Sequence, residues 1–250
     1  MKVKINGKLY NGNTGETLME LAKRNNIYIP NLCHKKGFEG QGRCRLCIVE
    51  INDGGKTKIV SSCVYPIKDG IEVSTNSDKI IKIRKNIILL LLLRTPNNDT
   101  IKSLAKEYNV DIHYKYLDNK KKENCILCGL CVEACDKLGT KAISLVNRGT
   151  TKKVSTPYDD ASKDCIGCAA CVEVCPTDAI SIDDKNGKRT IWNRTFNLVS
   201  CSICGKYFTT YEALKYTDDK LNIEKENQIC NSCKRKEISK KFKESFKNTY

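Results

Sequence analysis

Sixteen cysteines are the residues of this chain best suited to chemistry, and they fall along the sequence in four groups of four. The groups are Cys33, Cys44, Cys47 and Cys63; Cys125, Cys128, Cys131 and Cys135; Cys165, Cys168, Cys171 and Cys175; and Cys201, Cys204, Cys230 and Cys233. Four thiolates complete the coordination of one soft metal ion or one iron–sulfur cluster. The grouping therefore predicts four metal centres and leaves no cysteine over.

The second and third groups form an internal repeat. Both have the spacing C-x2-C-x2-C-x3-C, which binds [4Fe–4S] cubanes in bacterial ferredoxins, and each is followed by an Ala-Ile-Ser triplet, at 142–144 and 179–181. Pro176 follows the second run as the ferredoxin pattern requires, whereas Asp136 stands in that place after the first. Two zinc knuckles are the alternative, which we disfavour because zinc sites rarely take four cysteines from one short run.

The two runs resemble those of two-cluster ferredoxins, in which the fourth cysteine of each run ligates the other cluster. The resemblance implies an exchange of ligands between the runs. One cubane would be held by Cys125, Cys128, Cys131 and Cys175, and the other by Cys165, Cys168, Cys171 and Cys135.

The first group, with the spacing C-x10-C-x2-C-x15-C, follows a segment whose pattern predicts a hairpin and a helix. Asn6-Gly7 indicates a turn between strands at 2–5 and 8–10, and residues 16–24 have the apolar spacing of a helix. Further strands are expected near residues 48–51, 58–60 and 71–73. We expect the loop with glycines 37, 40 and 42 to wrap a cluster; an ordinary flexible loop is the alternative.

The segments IPNLCHKKGFEGQGRCRLCIVEI and SSCVYPIKDGIEVSTNS closely resemble one iron–sulfur subunit family. That family is shared by respiratory complex I, NAD-reducing hydrogenases, [FeFe]-hydrogenases and NAD-linked formate dehydrogenases, and the resemblance extends over about residues 1–185. It implies a β-grasp domain with a [2Fe–2S] cluster on Cys33, Cys44, Cys47 and Cys63. We interpret His34 as a neighbour of the cluster and not as a ligand.

The chain departs from that family after the helix expected at residues 77–94. Family members usually carry a histidine-ligated [4Fe–4S] motif there, of the form H-x3-C-x2-C-x5-C. The equivalent stretch here, RTPNNDTIKSLAKEYNVDIHYKY, contains no cysteine and is expected to form a second helix near residues 100–108. His113 alone cannot hold a cluster, so we expect this third cubane to be absent.

The last group, C-x2-C-G-x24-C-x2-C, predicts a zinc ribbon with four cysteine ligands in tetrahedral geometry. A further iron–sulfur cluster and a redox disulfide are the alternatives. The tail then repeats apolar residues at four-residue steps, which indicates an amphipathic helix that packs either on this module or on a partner; they are Ile238, Phe242, Phe246 and Tyr250.

Composition limits the class of protein. The N-terminus lacks the apolar core of a signal peptide, so a secreted disulfide scaffold is disfavoured and we expect a cytoplasmic protein. The longest apolar run, residues 87–93, is too short to span a bilayer.

The formal charge of +15 suggests nucleic acid. Sixteen thiolates together with the charges of the bound metals would bring it to about +7. The basic residues would then either compensate anionic clusters or face an acidic partner protein, and we expect no nucleic acid.

These features predict an α+β chain of four parts. They are a β-grasp [2Fe–2S] domain over residues 1–76, a helical linker over 77–121, a bacterial-type 2[4Fe–4S] ferredoxin domain over 122–190, and a four-cysteine zinc-ribbon-like module with a basic helical tail over 196–250. The expected cofactors are one [2Fe–2S] cluster, two [4Fe–4S] clusters and one Zn2+.

The sequence shows no glycine-rich dinucleotide fingerprint and no acid–base or nucleophile constellation, so we do not predict a catalytic site. The resemblance implies an electron-transfer subunit of an NAD(P)-linked oxidoreductase. Its partners would be a flavin-containing NAD(P)H-binding subunit and a hydrogenase or formate dehydrogenase subunit, or ferredoxin. A free-standing polyferredoxin is the first alternative, and a zinc-ribbon nucleic-acid-binding protein is a distant second.

Overall fold

The computed structural model describes residues 1–111, 117, 120, 123–222 and 228–247, so His113 and Tyr250 lie outside the described residues. The backbone forms two units. Unit 1 comprises residues 1–134, 145–154 and 174–179, and unit 2 comprises 135–144, 155–173 and 180–250. The boundary separates the fourth cysteine of each repeat from the other three, because Cys135 begins a segment of unit 2 and Cys175 lies in unit 1.

Unit 1 contains a five-stranded sheet. Its strands are β1 (Lys2–Ile5), β2 (Lys8–Asn11), β3 (Ile48–Asp53), β4 (Lys56–Ser61) and β5 (Glu72–Ser74), in the order β2-β1-β5-β3-β4. Strands β1 and β5 are parallel and the other pairs are antiparallel. The Asn6-Gly7 turn joins β1 to β2 as predicted, with positive φ at both residues, 48° and 84°.

Helix α1 (Leu18–Arg24) packs its apolar face into the core of this sheet, where Leu18, Leu21 and Ala22 are buried beside Val3 and Ile51. It begins later than the sequence predicts because a capping box fixes its start. The Thr17 hydroxyl accepts the Glu20 N–H, and the Glu20 carboxylate accepts the Thr17 N–H at 2.8 Å.

Two helices follow the sheet in unit 1, as predicted. Helix α2 (Asp78–Arg94) is capped by the Ser77 hydroxyl, and α3 (Asp99–Glu107) is capped by the Asn98 side chain. Their inner faces form a second apolar cluster with Ile88, Leu92 and Ile101 at its centre. None of the helices among the described residues has the length and hydropathy that a bilayer span requires.

The second cysteine repeat lies mostly in unit 2, among short elements. Helix α4 (Leu130–Leu138) ends the first cysteine run, and α5 (Ala170–Glu173) contains Cys171. Between the runs, β6 (Ser144–Val146) and β7 (Lys153–Ser155) form a two-stranded sheet.

Unit 2 also has a four-stranded sheet that the sequence pattern did not predict. Its strands are β8 (Ile182–Lys185), β9 (Lys188–Ile191), β10 (Arg194–Ser200) and β11 (Tyr207–Thr210), and neighbouring strands are antiparallel. Helices α6 (Tyr211–Leu221) and α7 (Asn231–Lys247) follow, with Ile238 and Phe242 of α7 exposed. The sheet packs Phe196, which is 1% exposed, into the interior.

Arg84 on α2 is fully buried and holds the chain around one cysteine of the first group. Its guanidinium donates to the carbonyl of Leu46 at 3.0 Å, to that of Ile48 at 2.7 Å and to Asn76 Oδ1 at 2.8 Å. Burial lowers the pKa of Arg84 from its ordinary value, and its contact with Tyr108 opposes that shift. The two carbonyls flank Cys47, so this arginine fixes the backbone that presents the Cys47 sulfur.

We predict that Arg84→Leu destabilises unit 1, because it leaves two buried carbonyls without their donor. The expected loss is about 3 kcal/mol, which lowers the midpoint of urea unfolding by about 1 M. The measurement is urea unfolding followed by circular dichroism. Lys82→Leu, at an exposed position of the same helix, is the matched control and should unfold at the wild-type midpoint. Equal midpoints for the two variants would contradict the role given to Arg84.

Candidate metal centres

The first four cysteines converge in the interior of unit 1. Their sulfurs are within reach of one another: Cys47 Sγ lies 3.4 Å from Cys63 Sγ, and contacts with the Cys44 and Cys63 thiols lower the pKa of Cys33. The Cys44 N–H also donates to Cys33 Sγ at 3.3 Å. All sixteen cysteines are free thiols, and this sulfur separation is well beyond a disulfide bond of about 2.05 Å. Four buried thiols and an amide donor are suited to a metal centre that is bound through several thiolates.

The glycine-rich loop closes over this group at one residue. A Cβ on Gly40 would lie 1.8 Å from the carbonyl oxygen of Cys63, so only glycine lets the two backbone segments meet. Gly37 has a φ of +86° and faces open space, which is ordinary turn geometry. Gly40 is therefore the residue of this loop at which close backbone contact requires glycine, and cluster wrapping stays a prediction.

His34 lies beside the group but is bonded to another residue. Its Nδ1 accepts from Lys23 Nζ at 2.9 Å. Partial burial, and then the Lys23 charge, lower the pKa of the imidazole. A neutral ring is therefore favoured at neutral pH.

The two cubane-type runs have the same backbone conformation despite different residues. Two positions in each run are left-handed: Leu127 (φ 57°) matches Gly167 (φ 67°), and Gly129 (φ 80°) matches Ala169 (φ 62°). This conformation turns successive N–H groups inward, as in an anion-binding nest. The Leu127 N–H donates to Cys125 Sγ at 3.4 Å. The N–H of Gly167 makes the equivalent contact and favours the thiolate of Cys165.

The alanine of each Ala-Ile-Ser triplet forms a hydrogen bond to the fourth cysteine of its run. The Ala142 N–H donates to Cys135 Sγ at 3.2 Å, and the Ala179 N–H donates to Cys175 Sγ at 3.3 Å. A threonine two residues before each alanine also contacts the sulfur, with 3.1 Å from Thr140 to Cys135 and 3.7 Å from Thr177 to Cys175. Sequence analysis missed these threonines, although the shared pattern Thr-x-Ala-Ile-Ser was visible in both repeats.

Cysteines from both runs lie close together in each unit, as charge interactions in unit 1 and one cavity in unit 2 indicate. In unit 1, the pKa of Cys128 is raised to about 11, mainly by burial and in part by the nearby Cys175 and Cys125. Cys131 is also buried in unit 1, at the start of α4. The other four repeat cysteines line one cavity in unit 2, together with Ile191 and Trp192. These cysteines are Cys135, Cys165, Cys168 and Cys171.

The cavity in unit 2 fits a cluster that is anionic as a whole once four thiolates have bound its irons. Burial raises the pKa of Cys171 to about 11, so a bare thiolate there is disfavoured without a cation. The Arg194 guanidinium donates to the Cys165 carbonyl at 2.7 Å, and Arg189 lies near Cys168. In unit 1, Arg94 donates to the Cys125 carbonyl at 2.7 Å, in the equivalent position. Four thiols around a cavity, with amide and guanidinium donors, match the donor set of an iron–sulfur cluster.

The last four cysteines form a compact site in unit 2. The sulfurs of Cys201, Cys204, Cys230 and Cys233 all lie within 4.8 Å of one another. The Cys230 N–H donates to Cys201 Sγ at 3.4 Å, and this bond lowers the pKa of Cys201 to about 6. Phe208 packs against the cysteines, whereas Tyr207 is exposed. One thiol in this site is thus poised as a thiolate, which is the form that binds metal.

Two family models match the chain. A 2Fe-2S iron-sulfur cluster binding domain covers residues 1–78, and a 4Fe-4S dicluster domain covers residues 120–182. The predicted [2Fe–2S] and [4Fe–4S] domains are therefore confirmed. Both matches end before strand β9, so neither includes most of the β8–β11 sheet or the last four cysteines.

The relatives are subunits of redox complexes. The chain is 29% identical over 211 residues to the NADPH-Fe(3+) oxidoreductase subunit alpha of Geobacter sulfurreducens, which covers 75% of this chain and 25% of that protein. It is 26% identical over 178 residues to the NAD-reducing hydrogenase HoxS subunit gamma of Cupriavidus necator, with 62% of this chain and 74% of that protein covered.

A solved structure of an NAD+-reducing [NiFe]-hydrogenase in the H2-reduced state shares the fold. The TM-score is 0.54 at 24% identity, over 62% of this chain and 74% of that chain. The chain is thus homologous to iron–sulfur subunits of NAD(P)-linked hydrogenases and NADH-quinone oxidoreductases. It spans only about a quarter of the Geobacter relative's length.

We predict that Gly40→Ala impairs the [2Fe–2S] centre, because the added methyl group collides with the Cys63 carbonyl. Retention of the cluster against a chelator should fall by about tenfold, while the cubanes are unaffected. The measurement is the [2Fe–2S] signal in electron paramagnetic resonance (EPR) of the reduced holoprotein. Gly54→Asn, in the open turn between β3 and β4 with nothing near its Cβ position, is the control and should behave as wild type.

Proposed function

We propose that this chain is a non-catalytic electron-transfer subunit of an NAD(P)-linked multi-subunit oxidoreductase, placed in the cytoplasm. It would relay single electrons between a flavin-containing NAD(P)H-binding subunit and a second catalytic subunit, of hydrogenase or formate dehydrogenase type, or ferredoxin. Iron–sulfur clusters supply this chemistry because they gain and lose one electron at a time. The homology to such subunits and the arrangement of the cysteines support the proposal.

One observation carries the proposal: the first two cysteine sets of unit 1 share one apolar cluster. Cys33 and Cys44 of the [2Fe–2S] set are buried in the same cluster as Cys128 of the first repeat, together with Leu46 and Ile126. The charge of Cys33 also acts on the pKa of Cys128. Two redox centres held by these residues would lie side by side in apolar surroundings, so no histidine-ligated cubane is needed between them.

In unit 2, one cysteine of the second repeat is accessible from outside. Cys168 is exposed, whereas Cys165 and Cys171 are buried. Cys168 also borders an open groove of unit 2 lined by Leu214, Leu221 and Ile229. A partner that docks at the groove would reach a cluster ligand directly. We therefore assign electron exchange with one partner to this edge.

We assign Cys125, Cys128, Cys131 and Cys175 to one cubane, and Cys165, Cys168, Cys171 and Cys135 to the other. The unit boundary supports this exchange because each proposed set lies within one unit. The shared cavity of the second set supports it further.

We assign zinc to Cys201, Cys204, Cys230 and Cys233. A single ion about 2.3 Å from each sulfur holds the four sulfurs about 3.8 Å apart. Cys204 Sγ and Cys230 Sγ are separated by 3.8 Å. All four sulfurs lie within 4.8 Å of one another, which is compact enough for one ion to bind them together, and we therefore favour one ion with a structural role.

Metal content tests the proposal as a whole. The purified holoprotein should contain about ten irons and one zinc per chain, and the reduced form should show both [2Fe–2S] and [4Fe–4S] EPR signals at low temperature. Native purification should recover a flavoprotein partner. Fourteen or more irons would contradict the absence of a third cubane, and a protein without either EPR signal would contradict electron transfer. Absence of a zinc signal in X-ray fluorescence would contradict the zinc ribbon but not the electron-transfer function.

The ligand exchange makes a separate prediction. Because Cys128 adjoins Cys33, one reduced cubane should couple magnetically to the reduced [2Fe–2S] cluster. Cys175→Ser should alter that coupled cubane, and Cys135→Ser should alter the other one. EPR relaxation of the [2Fe–2S] signal in the two variants measures this difference. If Cys135→Ser changes the coupled cubane and Cys175→Ser does not, each run keeps its own fourth cysteine.

A further inference from the structure

Trp192 occupies a turn position that disfavours a bulky side chain. It joins β9 to β10 in a two-residue turn with Asn193, and both residues are left-handed, with φ values of 51° and 59°. Asn-Gly is the preferred pair in such a turn, and a tryptophan there is strained by about 1–2 kcal/mol. Strain of this kind points to a role for the side chain and calls for a specific contact.

The contact is with a proposed cubane ligand. The Trp192 indole N–H donates to Cys171 Sγ at 3.5 Å, and the ring borders the cavity lined by that cysteine set. The turn is itself anchored, because Asn193 Nδ2 donates to the Asp159 carbonyl at 2.9 Å. The side chain is therefore presented to the sulfur by a fixed hairpin and not by a mobile loop.

Other residues of the β8–β11 sheet form hydrogen bonds to the backbone at the start of this cysteine run. Arg194 donates to the carbonyls of Ser162, Lys163 and Cys165 at 2.7 to 2.9 Å. Arg189 donates to the Gly167 carbonyl at 3.0 Å, and the Thr210 hydroxyl donates to that of Ile166 at 2.5 Å. These residues lie beyond residue 182, where the dicluster domain match ends. The β8–β11 sheet is thus an addition to that domain which seats one cubane site.

We propose that Trp192 is a positioning residue that raises the reduction potential of the cubane bound through Cys171. When that cubane gains one electron, the Cys171 sulfur becomes more negative, and an N–H that donates to it stabilises the reduced form. No bond forms or breaks and no proton moves. The inference rests on the proposed function for the presence of the cubane. It adds which of the two cubanes is the better electron acceptor: the one in unit 2.

The charged groups beside the other cubane site are paired with each other. The Glu123 carboxylate accepts the Cys125 N–H at 2.8 Å. The Arg94 guanidinium, which donates to the Cys125 carbonyl at 2.7 Å, lies 3.9 Å from that carboxylate. Because these opposite charges offset each other, we attribute the difference in potential to the Trp192 N–H.

Trp192→Phe in the holoprotein tests the proposal, since it keeps an aromatic ring and removes the N–H. We expect the tendency of one cubane to be reduced to fall by about tenfold, which equals 59 mV for a one-electron couple, while the other cubane keeps its potential. The measurement is an EPR-monitored redox titration. Tyr158→Phe, on a side chain that is 95% exposed in the same unit, is the control and should change neither potential. Unchanged cubane potentials in Trp192→Phe would overturn the proposal.

A second measurement does not depend on how a variant folds. Trp192 is the only tryptophan in the chain, so protein labelled with indole-15N tryptophan carries one labelled site. We expect a 15N hyperfine coupling to one reduced cubane in pulsed EPR of the wild-type holoprotein. If the cubane signals are present without this coupling, the proposed hydrogen bond is wrong, whereas the proposed function stands. If the cubane signals are absent, the proposed function itself fails.

Discussion

Thiolate charge in an apolar interior is the constraint on which the rest of this structure depends. A buried anionic group is stable only where donors and cations surround it. The chain meets this requirement with an arginine behind each proposed iron–sulfur set: Arg84 on the carbonyls that flank Cys47, Arg94 on that of Cys125 and Arg194 on that of Cys165. Each guanidinium is bonded to the backbone near a cysteine and so stiffens the loop that presents the sulfur. Part of the formal charge of +15 is thus structural.

The sequence was sufficient for features that depend on local spacing. The Asn6-Gly7 hairpin, helices α2 and α3 and the two cluster domains follow from turn chemistry, periodicity and cysteine intervals, and the structure and the family matches confirm them. The start of α1 was misplaced because a reciprocal cap between Thr17 and Glu20 decides it. The β8–β11 sheet was missed because three of its strands, β8, β9 and β11, have only four residues each and β8 and β9 are mostly polar. Pairing with the longer β10 and contacts with the Cys165–Cys171 loop stabilise them.

The cysteines of the candidate sites could be predicted from the sequence, but the residues that surround them could not. Spacing identifies all sixteen thiols, whereas the groups that surround them come from distant positions. Arg84 bonds the carbonyls on either side of Cys47, 37 residues away, and Trp192 donates to Cys171, 21 residues away. Long-range placement of this kind is a property of packing and leaves little trace in a single sequence. The strained turn at Trp192 shows the same limit, because a turn preference would have argued against tryptophan there.

The side chain of Asn98 has a consequence for how the protein is made. Its Oδ1 caps α3 by accepting the Ile101 N–H, while its Nδ2 donates to the carbonyl of Thr177 at 2.8 Å, and Thr177 is 1% exposed. The segment 174–179 is thus built into unit 1 although the chain reaches it only after most of unit 1 is complete. Domains generally fold in order as the ribosome extends them. The backbone of unit 1 therefore cannot be completed until residue 179 has been synthesised, by which time residues 135–144 and 155–173 of unit 2 already exist.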